Sequence, residues 1–167
     1  MPQERVLVLD HIKILQKLRR IAYQLYEFNH QEETLTFVAV EKKGVFLAER
    51  IKPILEDISG IKVDLMSLAV NKENPNDNPT WHGEPSKLTG KSVILIDDVL
   101  NSGRTLIYAA RHILDYEVKK LTTVVLVDRR HRRFPIKADF VGLTLSTTLQ
   151  DHIAVEFEEG NDNVYLD

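Results

Sequence analysis

The stretch Val93–Thr105 (VILIDDVLNSGRT) constrains the fold more than any other part of the chain. It begins with four apolar residues, Val93–Ile96, and a run without polar alternation suits a strand covered on both faces. Two carboxylates follow, Asp97 and Asp98. A short loop, Val99–Gly103, then opens a helix expected over Thr105–Tyr116. A second fully apolar strand is expected at Leu121–Val127. Strand–loop–helix–strand units of this kind imply an α/β fold with a mainly parallel, twisted sheet flanked by helices.

The remaining segments fit around that unit. Asp10 can cap a helix reaching about Asn29, with Ile12, Leu15, Leu18, Ile21, Ala22 and Leu25 on one face. Lys13, Lys17, Arg19 and Arg20 cover much of the rest and read as a solvated face. Leu35–Val40 (LTFVAV) is expected to be a buried strand, followed by the loop Glu41–Gly44 and a helix over Val45–Ser59. Pro53 lies inside that helix and should kink or weaken it. Ile61–Leu68, Phe140–Leu145 and Ile153–Phe157 are further strand candidates. Val70–Thr89 is a long polar loop with three prolines and four asparagines, the composition of a lid. Trp81, the only tryptophan, is expected to anchor it to the core.

Composition narrows the function classes. A chain of 167 residues with no internal repeat suits one domain, 1–167. The net charge of −3 supplies no global basic field for nucleic acid. Absence of cysteine excludes disulfides and thiolate metal sites. No apolar run approaches membrane-spanning length, and the first ten residues lack the apolar stretch of a signal peptide, so the cytoplasm is the expected location.

The chemistry concentrates after Val93–Ile96. Ligands of open α/β sheets bind at the carboxyl ends of strands, where Asp97 and Asp98 fall. Gly103 permits close backbone approach, and the following helix N-terminus favours phosphate, with Ser102 and Thr105 adding hydroxyls. Repulsion keeps the carboxylates themselves off phosphate. Together they suit a sugar phosphate: carboxylates accept from ribose hydroxyls while the loop holds the 5-phosphate. The Walker order GxxxxGK[ST] and the dinucleotide fingerprint GxGxxG are both absent. An acidic pair at a strand end also fits a magnesium site of phosphatase or receiver type, which leaves Asn101–Thr105 unused.

The apolar strand, Asp-Asp, short loop, [ST]-Gly-x-Thr and helix resemble the phosphoribosyl pyrophosphate signature of type I phosphoribosyltransferases. DDVLNSGRT, the run Val127–Arg132 and FPIKADFVG (Phe134–Gly142) resemble in particular the bifunctional pyrimidine-operon attenuator/uracil phosphoribosyltransferase family. The resemblance implies transfer of a phosphoribosyl group to a nucleobase, uracil first, with release of pyrophosphate and formation of a nucleoside monophosphate. It implies that Asp97 and Asp98 act as the catalytic carboxylates on the ribose, and that Asn101, Ser102, Gly103, Arg104 and Thr105 cradle the 5-phosphate. Lys42, Lys43 and Gly44 belong to a pyrophosphate loop, Asp128 and Arg129 edge the base pocket, and magnesium travels with the pyrophosphate. A lid over about 70–89, a small hood over about 143–153 and a homodimer or homotetramer are implied as well.

Two positions depart from the family pattern. The pyrophosphate loop usually reads Lys-Thr-Arg-Gly; here Glu41 and Lys43 stand instead, and Lys43 lacks the guanidinium fork. The lid usually opens on an aromatic–basic pair, where this chain has Leu68 and Ala69, with Lys72 as the nearest cation. RNA binding is the second function class implied, through Lys17, Arg19 and Arg20 and through Arg129–Arg133; basic clusters alone are a weak sign of it. A third class is a partner-binding protein that retains only the nucleotide pocket.

Overall fold

A computed structural model describes residues 4–167. Strand β1 (Val6–Leu9) leads into helix α1 (His11–Phe28), strand β2 (Thr34–Val40), helix α2 (Lys43–Ser59) and strands β3 (Lys62–Ala69) and β4 (Thr80–His82). Then come β5 (Ser92–Leu100), α3 (Arg104–Ile113), β6 (Lys120–Asp128), β7 (Phe140–Thr144), β8 (Ile153–Glu156) and β9 (Asn163–Leu166). Six strands form the central sheet in the order β4-β3-β2-β5-β6-β7. All neighbours pair in parallel except β4, which runs antiparallel to β3.

The apolar strands are buried on both faces for the expected reason. Phe37, Ala39, Ile94, Ile96, Val124 and Leu126 share one core cluster with α1 and α2. Their alternates Val38, Val40, Val93, Leu95 and Val125 pack in a second cluster with α3. The strand carrying the acidic pair is longer than expected: β5 continues through Asp97 and Asp98 to Leu100, which pairs with Asp128.

Helix α1 starts where Asp10 accepts a hydrogen bond from the Lys13 N–H at 2.8 Å. Its buried face differs from the expected one at the first turn. Ile14 is fully buried, whereas Ile12 and Leu15 face outward at 67% and 39% exposure. Ile12, Leu15, Tyr23 and Tyr26 lie on one outward face, interrupted by Arg19, whose guanidinium lies over the Tyr23 ring, so the helix carries a second, largely apolar stripe away from the core. Arg20 is exposed but also tethered: its Nη2 donates to the Val141 and Gly142 carbonyls at 2.9 and 2.7 Å, covering part of the β7 edge. Helix α2 runs through Pro53 without interruption and closes at Gly60, whose φ of +72° suits glycine.

The segment 70–89 is more ordered than a plain loop. Its strand β4 sets Leu68 opposite Trp81 and Ser67 opposite His82, and a short 3₁₀ helix follows over Pro85–Leu88. Trp81 packs edge-on against Tyr116 with ring centroids 6.4 Å apart. Toward its start, Pro75 gives its carbonyl to the buried His112 ring at 2.7 Å.

A second, three-stranded antiparallel sheet, β1-β9-β8, brings both ends of the chain together. Neither β1 nor β9 was expected from the sequence; four residues each give no resolvable period. Buried Asp162, beside this sheet, forms an ion pair with Arg50 of α2. No described helix is long and apolar enough to cross a membrane.

Candidate active site

The strand order explains where a ligand belongs. From β2 the chain builds outward to β3 and β4, and from β5 it builds the other way to β6 and β7. The carboxyl ends of β2 and β5 therefore part at a topological switch point. A cavity of about 560 Å³ lies there. From β2 and its loop come Val40, Glu41, Lys42 and Lys43; from β5 and its loop comes every residue from Asp97 to Thr105. Residues 54 or more positions apart in sequence thus share one wall.

Asp97 lies deepest. Its Oδ1 accepts the Asp98 N–H at 2.8 Å. Protein packs closely around its carboxyl group. That burial, and then the charge of Asp98, hold its pKa well above the ordinary carboxylate range; Lys72 opposes the rise. Among the described residues neither carboxylate has an ion-pair partner within 4.0 Å. Gly44 does not line the cavity but is required beneath it. A Cβ there would sit 2.8 Å from the Ile96 carbonyl oxygen and 3.3 Å from the Asp97 Cα.

The loop Asn101–Gly103 is held from behind. The Ser102 carbonyl accepts from the Arg133 and Phe134 N–H groups at 2.8 and 3.0 Å. Gly103 adopts φ +88°, and a Cβ there would meet Ile136 at 2.8 Å. Gly103 at the N-cap of α3 has no capping side chain, the Arg104 N–H donates to Ser102 Oγ at 3.2 Å, and Gly103, Arg104 and Thr105 all line the cavity. Arg104, expected in the phosphate cradle, lines the cavity and donates Nη1 to the Lys72 carbonyl at 2.8 Å. This bond draws Lys72 to the cavity wall.

Three further expectations look different in three dimensions. Glu41 lines the cavity, but its carboxylate accepts from Ser67 Oγ at 3.0 Å and lies 3.0 Å from His82 Nε2. The β3–β4 pairing thus occupies the anionic side chain. Asp128 was expected at the base pocket, yet it does not line the cavity and is buried. Arg132 grips it with Nη1 and Nη2 at 2.8 and 2.9 Å, and the Arg130 N–H adds a third bond at 2.9 Å. The Arg132 hydrogen bonds hold its pKa below the usual carboxylate value. Arg129 also lies off the lining, its guanidinium reaching Asn101, Thr147, Thr148 and Asp151.

Ala69, Val70, Lys72, His152 and Ile153, with Leu106 and Val125, complete the wall; the first five fall in or beside the expected lid and hood, and none was singled out as a site residue. The first three follow β3 where the lid opens. His152 and Ile153 enter from the second sheet, whose position no local pattern announces. Of the expected hood, 143–153, only these two residues reach the cavity.

Residues 7–160 match the model of the phosphoribosyl transferase domain. The chain is 34% identical to the bifunctional protein PyrR of Limosilactobacillus fermentum, with 96% of each chain covered. It is 38% identical to the bifunctional protein PyrR of Latilactobacillus sakei, covering 91% of this chain and 90% of that one. Among solved structures, the hypoxanthine phosphoribosyltransferase of Trypanosoma cruzi superposes with a TM-score of 0.76 at 19% identity, over 88% of this chain and 83% of that one. A hypoxanthine-guanine phosphoribosyltransferase of Bacillus anthracis gives 0.72 at 20% identity, over 87% and 85%. With its acidic strand and helix N-terminus at the switch point, and relatives aligned along nearly its whole length, the chain belongs to the phosphoribosyl transferase domain family, with PyrR proteins among its relatives.

Proposed function

We propose that the protein transfers a 5-phosphoribosyl group from phosphoribosyl pyrophosphate to a nucleobase, uracil first among the candidates, and releases pyrophosphate. The carrying observation is that Asp97–Thr105 and Lys42–Lys43 line one cavity at the strand switch point. In this reading the 5-phosphate rests on the N-terminus of α3 and the Ser102 and Thr105 hydroxyls. Asp97 and Asp98 accept from the ribose hydroxyls. A base ring nitrogen attacks C1, the C1–oxygen bond to pyrophosphate breaks, and the base loses its ring N–H proton. Carboxylate charge near the sugar favours the positive charge that develops there. The ammonium groups of Lys42, Lys43 and Lys72 face the departing pyrophosphate.

Magnesium fits the donor set, since hard carboxylate oxygens stand beside a place for a diphosphate. Bound through the pyrophosphate, the ion supplies charge neutralisation on the leaving group. Asp97 and Asp98 are the side chains placed to meet its waters.

The deciding assay supplies phosphoribosyl pyrophosphate, magnesium and each nucleobase in turn. Pyrophosphate release with uracil is the expected result; folded protein inactive with every base overturns the proposal.

A second reading, RNA binding in control of pyrimidine genes, draws on the PyrR relationship. The surface supports it less than the sequence did, because Arg20 is engaged by β7 and Arg132 by Asp128. Salt-dependent affinity for its own pyrimidine-operon leader above that for scrambled RNA would favour it. For the expected dimer or tetramer, the outer stripe of α1 offers apolar surface; sedimentation of an Ile12→Lys, Tyr23→Lys double variant tests that face.

A further inference from the structure

Arg129 has the most unusual set of partners in the molecule. Its Nη1 donates to Asn101 Oδ1 at 3.1 Å, in the phosphate loop. Its Nε donates to Thr147 Oγ1 at 3.1 Å, and its Nη2 to the carbonyls of Thr148 and Asp151 at 3.2 and 2.6 Å. Its own N–H donates to the Leu100 carbonyl at the end of β5. One planar guanidinium therefore spans two segments that have no regular structure of their own.

The second segment depends on this contact. Among the described residues, the hydrogen bonds from Ser146–Asp151 to other parts of the chain go to Arg129 and His131. Inside the segment, Asp151 accepts from the Thr148 N–H at 2.7 Å and closes it into a turn. Leu149 at its tip is 88% exposed and contributes little packing. Directly after Asp151 come His152 and Ile153, which line the cavity.

We propose that Arg129 is a positioning residue that joins the phosphate loop at Asn101 to Thr147–Asp151, and so sets the His152–Ile153 wall where the base enters. The inference rests on reading the cavity as the phosphoribosyl donor site. It replaces direct base contact as the role of this arginine. Only a guanidinium presents enough rigid, planar donors; the tetrahedral ammonium of lysine cannot reach both segments in this geometry.

The test follows hydrogen exchange of the backbone in Ser146–Ile153, with and without ribose 5-phosphate, in wild type, R129A and R129K. In the free protein both variants are expected to exchange about tenfold faster there, the equivalent of one charge-assisted hydrogen bond. In wild type, ribose 5-phosphate should slow exchange in this remote segment; in the variants it should still bind but leave the segment unprotected. In turnover, the KM for uracil should rise about tenfold while that for phosphoribosyl pyrophosphate stays within about twofold, a split that general destabilisation does not produce. Equal rises in both KM values would place Arg129 on the donor and overturn the inference, as would unchanged exchange. R129K retains the charge and the stem, and serves where R129A does not fold. A wild type that neither binds ribose 5-phosphate nor turns over sinks the donor-site reading instead; the free-protein exchange still decides the tether.

Discussion

Strands β5 and β6 lie side by side, run in the same direction and each carry aspartate toward the carboxyl end, Asp97 and Asp98 within β5 and Asp128 at the last position of β6. Their carboxylates have opposite fates. Asp128 is gripped by Arg132 and the Arg130 N–H, and its pKa is lowered. Asp97 is half-buried with no cation in contact, beside a second carboxylate, and its pKa is raised. Satisfied charge stabilises a fold, whereas unsatisfied charge held in place is a binding capacity stored at the expense of stability. The first arrangement braces the site from behind, and the second forms its floor.

Asp97→Asn should break the comparison most sharply. Loss of a preorganised charge at the sugar is expected to cost about 10²–10³ in turnover. The same change removes a disfavoured buried charge, so stability at pH 7 should rise, with roughly 2–4 °C in Tm for each kcal/mol gained. The sign follows from the raised pKa. Between the unfolded value near 4 and the higher folded value, the folded state holds more protons, so wild-type stability falls as pH rises through that window. The D97N protein should lack this fall. A D97N protein less stable than wild type at neutral pH contradicts the assignment.

Asp128→Ala should do the reverse. Arg132 and the Arg130 N–H lose their acceptor, at about 2 kcal/mol by urea unfolding, while turnover by the folded fraction changes much less. Because the Asp128 pKa is lowered, its stabilisation is present above about pH 4 and is lost as pH falls through the folded value. Turnover lost as in D97N, at unchanged stability, would make Asp128 a residue of the site.

Gly44→Ala sharpens the comparison from below. The added methyl meets the backbone of Ile96 and Asp97, which has little room to move. A loss of about 1–2 kcal/mol is expected, accompanied by weaker binding of phosphoribosyl pyrophosphate in calorimetry. Destabilisation with donor affinity intact would show that Asp97 tolerates the shift.

The smallest effect is on the other strand. Arg130 adopts φ +61°, a left-handed conformation that costs a non-glycine residue about 1 kcal/mol. Arg130→Gly should therefore raise thermal stability slightly and leave turnover unchanged, since the bond to Asp128 uses only the backbone N–H. A lower Tm would show that the arginine side chain stabilises this turn.

Much of the site was legible because it is local. Val93–Thr105 carries strand, carboxylates, loop glycine and helix start in consecutive residues, and short-range geometry alone places them together. The parallel sheet followed from the same kind of evidence, since strands buried on both faces must be apolar throughout. The tertiary structure decided what depends on distant partners. Asp97 and Asp128 look alike in sequence; one differs from the other because Arg132 turns back onto it. Glu41 is neutralised as a departure by Ser67 and His82, 26 and 41 positions away. Arg104 and Arg129 read as ligand contacts; the structure ties both to the chain, Arg104 through Nη1 alone while it still lines the cavity, Arg129 through its whole guanidinium. Their partners, Lys72 and the Thr147–Asp151 turn, lie in segments whose polar composition sets no conformation by itself. Sequence determines the chemistry a residue offers; packing determines whether that chemistry is already consumed, because burial fixes which partners lie within hydrogen-bond reach.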